Sequence, residues 1–117
     1  TEVVARRLGA KMVVEAANGP TTPDADTVLA GRGVPVVPDI LANTGGVTAS
    51  YFEWAQGRQG YAWDEDVVAT RLRKTMDDAF RSVWSKADNL GVTLRRAAFA
   101  VALDRVAGAI AARGLFP

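Results

Sequence analysis

The sequence contains no cysteine and no histidine. The first absence excludes disulfides, thiolate-ligated zinc, iron–sulfur clusters and a thiol nucleophile. The second removes Ser–His–Asp catalysis and imidazole-bound metals. Charge of one sign is lacking too: 14 basic side chains stand against 13 acidic ones, and a formal charge of +1 gives no global attraction to nucleic acid or to an anionic membrane. Long hydrophobic runs are also missing. The longest uncharged apolar stretch of note, Ala97 to Leu103, falls far below the roughly 18 to 20 residues of a membrane span. The opening Thr1-Glu2-Val3-Val4 has neither a basic-then-apolar leader nor an initiator methionine. It reads as cut or numbered from inside something longer, and a cytoplasmic location is the expectation.

What is present is 117 residues, 49% of them hydrophobic. That is one domain's worth of chain, able to bury about two thirds of its unfolded surface without staples. Residues Glu2 to Leu8 read as a helix closed by Gly9 in the left-handed conformation. Met12 to Ala16 is a short β-branched run of strand character, followed by the turn Asn18-Gly19-Pro20. Thr22 is a good N-cap and Pro23 a good first helical residue, so a helix runs from there to Gly31 or Gly33. Val34 to Val37 is the second strand, ended by Pro38. Strand, helix and strand at this spacing suit a right-handed βαβ unit with parallel strands.

Beyond it the pattern is helical, giving about five helices in all. Asn43-Thr44-Gly45-Gly46 opens one that breaks at Gln59-Gly60. Asp64 caps a long helix with an apolar stripe from Val68 to Leu90, and Gly91 ends it. Thr93 caps the last helix, whose stripe is Phe99, Ala102, Leu103, Val106, Ala109 and Ile110; Gly114 stops it before a short tail, Leu115-Phe116-Pro117. Parallel sheets normally have several strands covered on both faces. Two strands therefore read as the closing part of a larger α/β sheet.

Candidate chemistry lies just after each strand, where open α/β sheets bind ligands. The Asn18-Gly19 segment reads first as a tight turn, and secondly as a site where the Asn18 amide meets a ligand. At Gly45-Gly46 two glycines occupy the first turn of a helix, each unfavourable by roughly 1 kcal/mol relative to alanine. Close packing and approach of a ligand to the helix start explain them equally well. Val47 and Ser50 share a face of that helix. Tyr51, Phe52, Trp54, Tyr61 and Trp63 lack the basic groove of a nucleic-acid platform and read as packing between the glycine-led and long helices. Asp64-Glu65-Asp66 suits a helix start and has no calcium-loop spacing, so no metal is assigned. Lys11, Lys74 and Lys86, with the pairs Arg6-Arg7 and Arg95-Arg96, read as solvated charges.

The order of residues carries more. Val14-Glu15-Ala16-Ala17-Asn18-Gly19-Pro20-Thr21-Thr22-Pro23 resembles a segment of the glutamate dehydrogenases, within the Glu/Leu/Phe/Val amino-acid dehydrogenase family. So does Val36-Val37-Pro38-Asp39-Ile40-Leu41-Ala42-Asn43-Thr44-Gly45-Gly46-Val47-Thr48-Ala49-Ser50-Tyr51-Phe52-Glu53-Trp54. The likeness covers nearly the whole chain; Thr44 stands where alanine is commoner. It implies an α/β fold, here an incomplete Rossmann-type sheet of two parallel strands in a βαβ unit followed by C-terminal helices. Residues 1–117 would be the C-terminal portion of a dinucleotide-binding domain, with 1–57 the βαβ unit and glycine-led helix and 58–117 the closing helices, which pack back toward the hinge.

By the same resemblance Asn18 lies beside the nicotinamide ribose of NAD or NADP and Asn43 near its ring. Val47 and Ser50 form the substrate pocket wall, the Ser50 hydroxyl reaching the side-chain carboxylate of glutamate. The leucine-type branch usually has an apolar residue at the Ser50 position, so serine favours glutamate over branched-chain or aromatic substrates. The implied reaction is reversible oxidative deamination of glutamate to 2-oxoglutarate and ammonia in a homo-oligomer, a hexamer in the family. The family's catalytic lysine and aspartate belong to another domain, and no G-x-G-x-x-G follows a strand here. The isolated chain is therefore expected to be inactive. A leucine/phenylalanine/valine-type dehydrogenase and a stand-alone, associating, non-catalytic fragment are the alternatives.

Overall fold

The computed structural model describes residues 1–114; the tail expected at Leu115-Phe116-Pro117 lies outside the described residues. The elements in chain order are α1 (Glu2–Arg7), β1 (Val13–Val14), α2 (Pro23–Gly31), β2 (Val36–Val37), α3 (Asp39–Ala42), α4 (Thr44–Gln59), α5 (Glu65–Leu90) and α6 (Leu94–Arg113). The fold is α/β, with an open sheet of two parallel strands in the register Val13 to Val36 and Val14 to Val37. The regular strands are shorter than the apolar runs suggested. Ladder bonds nevertheless continue past them, Val13 N–H donating to Pro35 O at 3.0 Å and Glu15 N–H to Val37 O at 3.1 Å.

Alternation along β2 divides the core in two. Val36 turns to the side of α1 and α2, packing with Ala5, Ala25, Leu29 and Val34. Val37 turns the other way, to Leu41, Val83, Ala87, Leu94, Ala97 and Ala98 from α3, α5 and α6. Small side chains let α5 and α6 approach closely, and Ala97 has no exposed surface at all.

Several helix ends follow their residues. Thr22 Oγ1 accepts from Ala25 N at 3.4 Å and Thr93 Oγ1 from Arg96 N at 3.4 Å. Gly60 and Gly91 close α4 and α5 in the left-handed region. Asp64 stands at the N-cap of α5, but its side chain makes no capping bond.

Gly9 does not close α1. The helix ends at Leu8 in an extended conformation and Gly9 has no positive φ. Arg32, just past α2, donates instead to the carbonyls of Ala5 and Leu8, the latter at 2.7 Å. A cation there satisfies the open end and suits the helix dipole. The sixth helix is α3, where Asp39 to Ala42 forms a turn of its own running into α4 through Asn43.

The expected stripe on α6 lies largely uncovered. Leu94, Ala97 and Ala98 are its buried residues, whereas Phe99, Leu103, Val106 and Ile110 lie exposed, Leu103 at 67%. Helical period reveals an apolar face without saying what covers it. The aromatic cluster divides likewise. Phe52 is buried with its ring 5.6 Å from that of Trp63, and Arg71 lies 4.1 Å above Trp63. Tyr51 and Trp54 stack on each other at 5.7 Å and stay exposed, as does Tyr61.

Candidate functional site

Because β1 and β2 are parallel, the turns that follow them emerge at the same end of the sheet, beyond the C-termini of the strands. Gly19, at φ 57°, turns the chain after β1 and donates its N–H to Asp39 Oδ2 at 2.7 Å. That bond ties the first turn to the start of α3. Asn43, four residues further on, donates its own N–H to Asp39 O at 2.8 Å. Its side chain occupies an N-cap position without capping; Nδ2 donates instead to Asn18 Oδ1 at 3.1 Å.

The two expected cofactor residues therefore meet. Both are exposed, and their remaining amide groups, the Asn18 NH2 and the Asn43 carbonyl oxygen, have no partner among the described hydrogen bonds. They line an open cleft of about 400 Å³ together with Asp39, Val47 and Phe99. Ser50 lies one turn beyond Val47 on α4, exposed and outside that lining. Phe99, from the apolar stripe of the last helix, is 53% exposed and walls the cleft from α6.

The glycines after Asn43 are not both explained by packing. A Cβ on Gly45 would lie 3.6 Å from Met76 Sδ, an ordinary contact with α5, and one on Gly46 would meet nothing within 4 Å. Thr44 is accommodated by its hydroxyl, which donates to Ile40 O at 3.0 Å.

Arg95 was expected in solvent; it is not. Its side chain is 22% exposed, and the guanidinium pairs with Glu15 Oε1 at 2.7 Å, Asp26 Oδ2 at 3.1 Å and Asp39 Oδ1 at 3.8 Å. Glu15 is 2% exposed. Burial pushes its carboxyl upward, but hydrogen bonds from Arg95, the Thr21 hydroxyl and the Asp39 N–H, with the Arg95 charge, outweigh it and leave the pKa below the usual value. The Glu15 hydrogen bond holds Arg95 in turn above its ordinary range, against burial and with help from Asp26. Reading the sequence locally missed this cluster. A lone glutamate ending an apolar strand was the one available signal, since a carboxylate buried there needs a cation from elsewhere.

Chemically, the cleft offers neutral amides and an apolar wall. Its one ionisable lining residue among the described residues, Asp39, already engages Gly19 N–H with Oδ2 and Ile40 N–H with Oδ1. Such a surface suits a polar, uncharged group, and the sequence provides no glycine-rich loop that would seat a pyrophosphate.

An open parallel βαβ unit with polar side chains meeting beyond its strand ends is the ligand-binding arrangement of doubly wound α/β proteins. The family model for Glutamate/Leucine/Phenylalanine/Valine dehydrogenase matches residues 2–114. Glutamate dehydrogenase of Thermotoga maritima is 54% identical over 97% of this chain and 27% of its own length. The NAD-specific glutamate dehydrogenase of Clostridioides difficile is 48% identical, and the NADP-specific glutamate dehydrogenase A1 of Halobacterium salinarum 52%, each over 99% of this chain and 28% of its own length. Among solved structures, glutamate dehydrogenase from Peptoniphilus asaccharolyticus superposes with a TM-score of 0.92 at 44% identity, over 99% of this chain and 29% of that one. The hetero-hexameric glutamate dehydrogenase from Thermus thermophilus, in its Leu-bound form, gives 0.92 at 37% identity, over 100% and 28%. The chain belongs to the Glu/Leu/Phe/Val dehydrogenase family. It spans between 27% and 28% of the length of these three sequence relatives.

Proposed function

We propose that these residues are the C-terminal portion of the Rossmann-type nucleotide-binding domain of a cytoplasmic glutamate dehydrogenase. Residues 1–57 form its closing βαβ unit and glycine-led helix, and 58–117 its closing helices. The observation that carries the reading is the Asn18–Asn43 hydrogen bond of 3.1 Å at the strand ends. It joins the two residues that the family resemblance assigns to the nicotinamide half of the cofactor.

In this reading the Asn18 and Asn43 amides bind and orient the nicotinamide ribose and ring. Val47 and Phe99 keep water from one side of the cleft, and the Ser50 hydroxyl, one turn along α4, donates to the substrate's side-chain carboxylate. NAD or NADP supplies hydride acceptance; relatives named for each cofactor support either choice. The substrate is glutamate, and the product 2-oxoglutarate with ammonia. The rate depends on alignment of the reacting atoms, to which this chain contributes walls and hydrogen bonds. The acid–base groups come from elsewhere in the enzyme, so the chain alone is inactive. A homo-oligomer of six subunits is the assembly; the hetero-hexameric Thermus relative supports the number of subunits and not their identity. No described helix is long and apolar enough to cross a membrane.

Replacing Ser50 in the full-length enzyme tests the substrate. Ser50→Val is expected to lower kcat/KM for glutamate by about tenfold or more, the worth of one hydrogen bond to a charged group, while cofactor affinity holds. Unchanged glutamate turnover would remove Ser50 from the pocket. A wild-type enzyme preferring leucine to glutamate would move the reading to the branched-chain members.

A further inference from the structure

The described residues hold one group of charged side chains withdrawn from water, and the reading above gives it no task. Arg95, in the first turn of α6, donates Nη2 to Glu15 Oε1 at 2.7 Å and Nη1 to Glu15 Oε2 at 3.1 Å. Its Nε reaches Asp26 Oδ2 at 3.1 Å on α2. Glu15 Oε2 also accepts the N–H of Asp39 at 2.9 Å. Asp39 Oδ2 accepts the N–H of Gly19, next to Asn18, at 2.7 Å, and Asp39 O accepts the N–H of Asn43 at 2.8 Å. A continuous chain of bonds thus runs from α6 through Glu15 to Asp39, and Asp39 holds the backbone at or beside both members of the asparagine pair.

One guanidinium facing three carboxylates is a poor device for stability alone, since a well-packed apolar group would do as well. It is a good device for direction. The planar fork fixes the plane of Glu15, and Glu15 then fixes the amide of Asp39. We propose that Arg95 and Asp39 are positioning residues: through Glu15 and Gly19 they set the spacing and orientation at which Asn18 and Asn43 together receive the nicotinamide end of the cofactor. This rests on the placement of the asparagine pair proposed above. It extends that placement to a helix 69 and 80 residues away from its acidic partners. Disturbing the network should loosen the nicotinamide end and spare the adenosine end, whose phosphates this chain does not seat.

Asp39→Asn and Arg95→Lys, made in the full-length enzyme, test it against two ligands: the reduced cofactor, followed by nicotinamide fluorescence, and ADP-ribose, followed by calorimetry. Asp39→Asn keeps the shape but leaves one carbonyl for two donors; Arg95→Lys keeps the charge and loses the fork. Each is expected to weaken the reduced cofactor about tenfold and ADP-ribose by less than about twofold, as for loss of a positioned charged hydrogen bond. Equal weakening of both ligands would mean a purely structural role and overturn the proposal, as would no weakening of either. Asn18→Ala separates the layers. If it weakens the reduced cofactor selectively and the network variants do not, the positioning role falls while the asparagine reading stands. If Asn18→Ala is silent, the asparagine reading falls and the positioning role with it. Should Arg95→Lys fail to fold, Asp39→Asn, which leaves Glu15 and Asp26 paired with Arg95, still decides.

Discussion

A carboxylate enclosed at the end of an apolar strand is costly unless its charge is answered, and Glu15 is answered three ways: by two guanidinium nitrogens and by the Asp39 N–H. The consequence is a definite pH dependence. With the folded pKa lowered, the unfolded chain binds a proton more readily, so the ion cluster's contribution is fully present above the ordinary glutamate value, about 4.3. It is lost as pH falls through the lower folded value. Glu15→Gln removes the titration and leaves Arg95 with Asp26. We expect the stability difference between wild type and Glu15→Gln, from urea midpoints, to shrink as pH drops from about 5 to about 3. A difference constant across that range would show that Glu15 is no better held than a solvated carboxylate. Beyond that lone glutamate no local pattern marks this cluster, because Arg95 sits beside Arg96 on a helix that looks solvated from its own sequence.

At the scale of elements, sequence was informative where one residue type has one mechanical use. Thr22-Pro23, Gly60, Gly91 and Thr93 begin or end helices for local reasons, and the structure has those boundaries. The meeting of Asn18 with Asn43 was foreseeable from parallel strands and from resemblance; the bonds through Glu15, Asp39 and Arg95 were not. Local rules failed where a partner from another element intervened. Gly9 looked like a helix stop, yet Arg32 closes α1 from the far end of α2. The difference can be measured. Gly9→Ala places its Cβ in open space at an ordinary φ and is expected to be neutral or to stabilise by up to about 1 kcal/mol. Gly33→Ala, equally uncrowded but at φ 67°, is expected to cost about 1 kcal/mol or more. Thermal or urea unfolding of the two variants tells them apart; a destabilising Gly9→Ala would return the stop to Gly9.

The whole molecule is longer than its residue count requires. Its radius of gyration is 17.1 Å, against about 13 Å for a compact domain of this size. That elongated shape, 51 × 36 × 22 Å, goes with apolar surface that no described element covers. Phe99, Leu103, Val106 and Ile110 line one face of α6, Tyr51 and Trp54 stand out from α4, Met12 lines a hollow with Phe80 and Trp84, and Val14 is exposed on β1. Both strands are two residues long and each has a single partner among the described residues, so both edges, that of β1 among them, keep unpaired backbone groups. A chain of these 117 residues produced alone is therefore expected to associate, with a light-scattering mass above the monomer that rises with concentration. Two substitutions identify the surface responsible. Leu103→Glu places a charge in the α6 face, and Val14→Lys puts one beside the strand edge. If Leu103→Glu restores the monomer and Val14→Lys does not, the helix face drives assembly; the reverse result assigns it to β1. A wild-type chain that stays monomeric at high concentration would mean that neither surface is sticky enough to matter, and that α5 and α6 shield one another in solution more completely than their packing here provides.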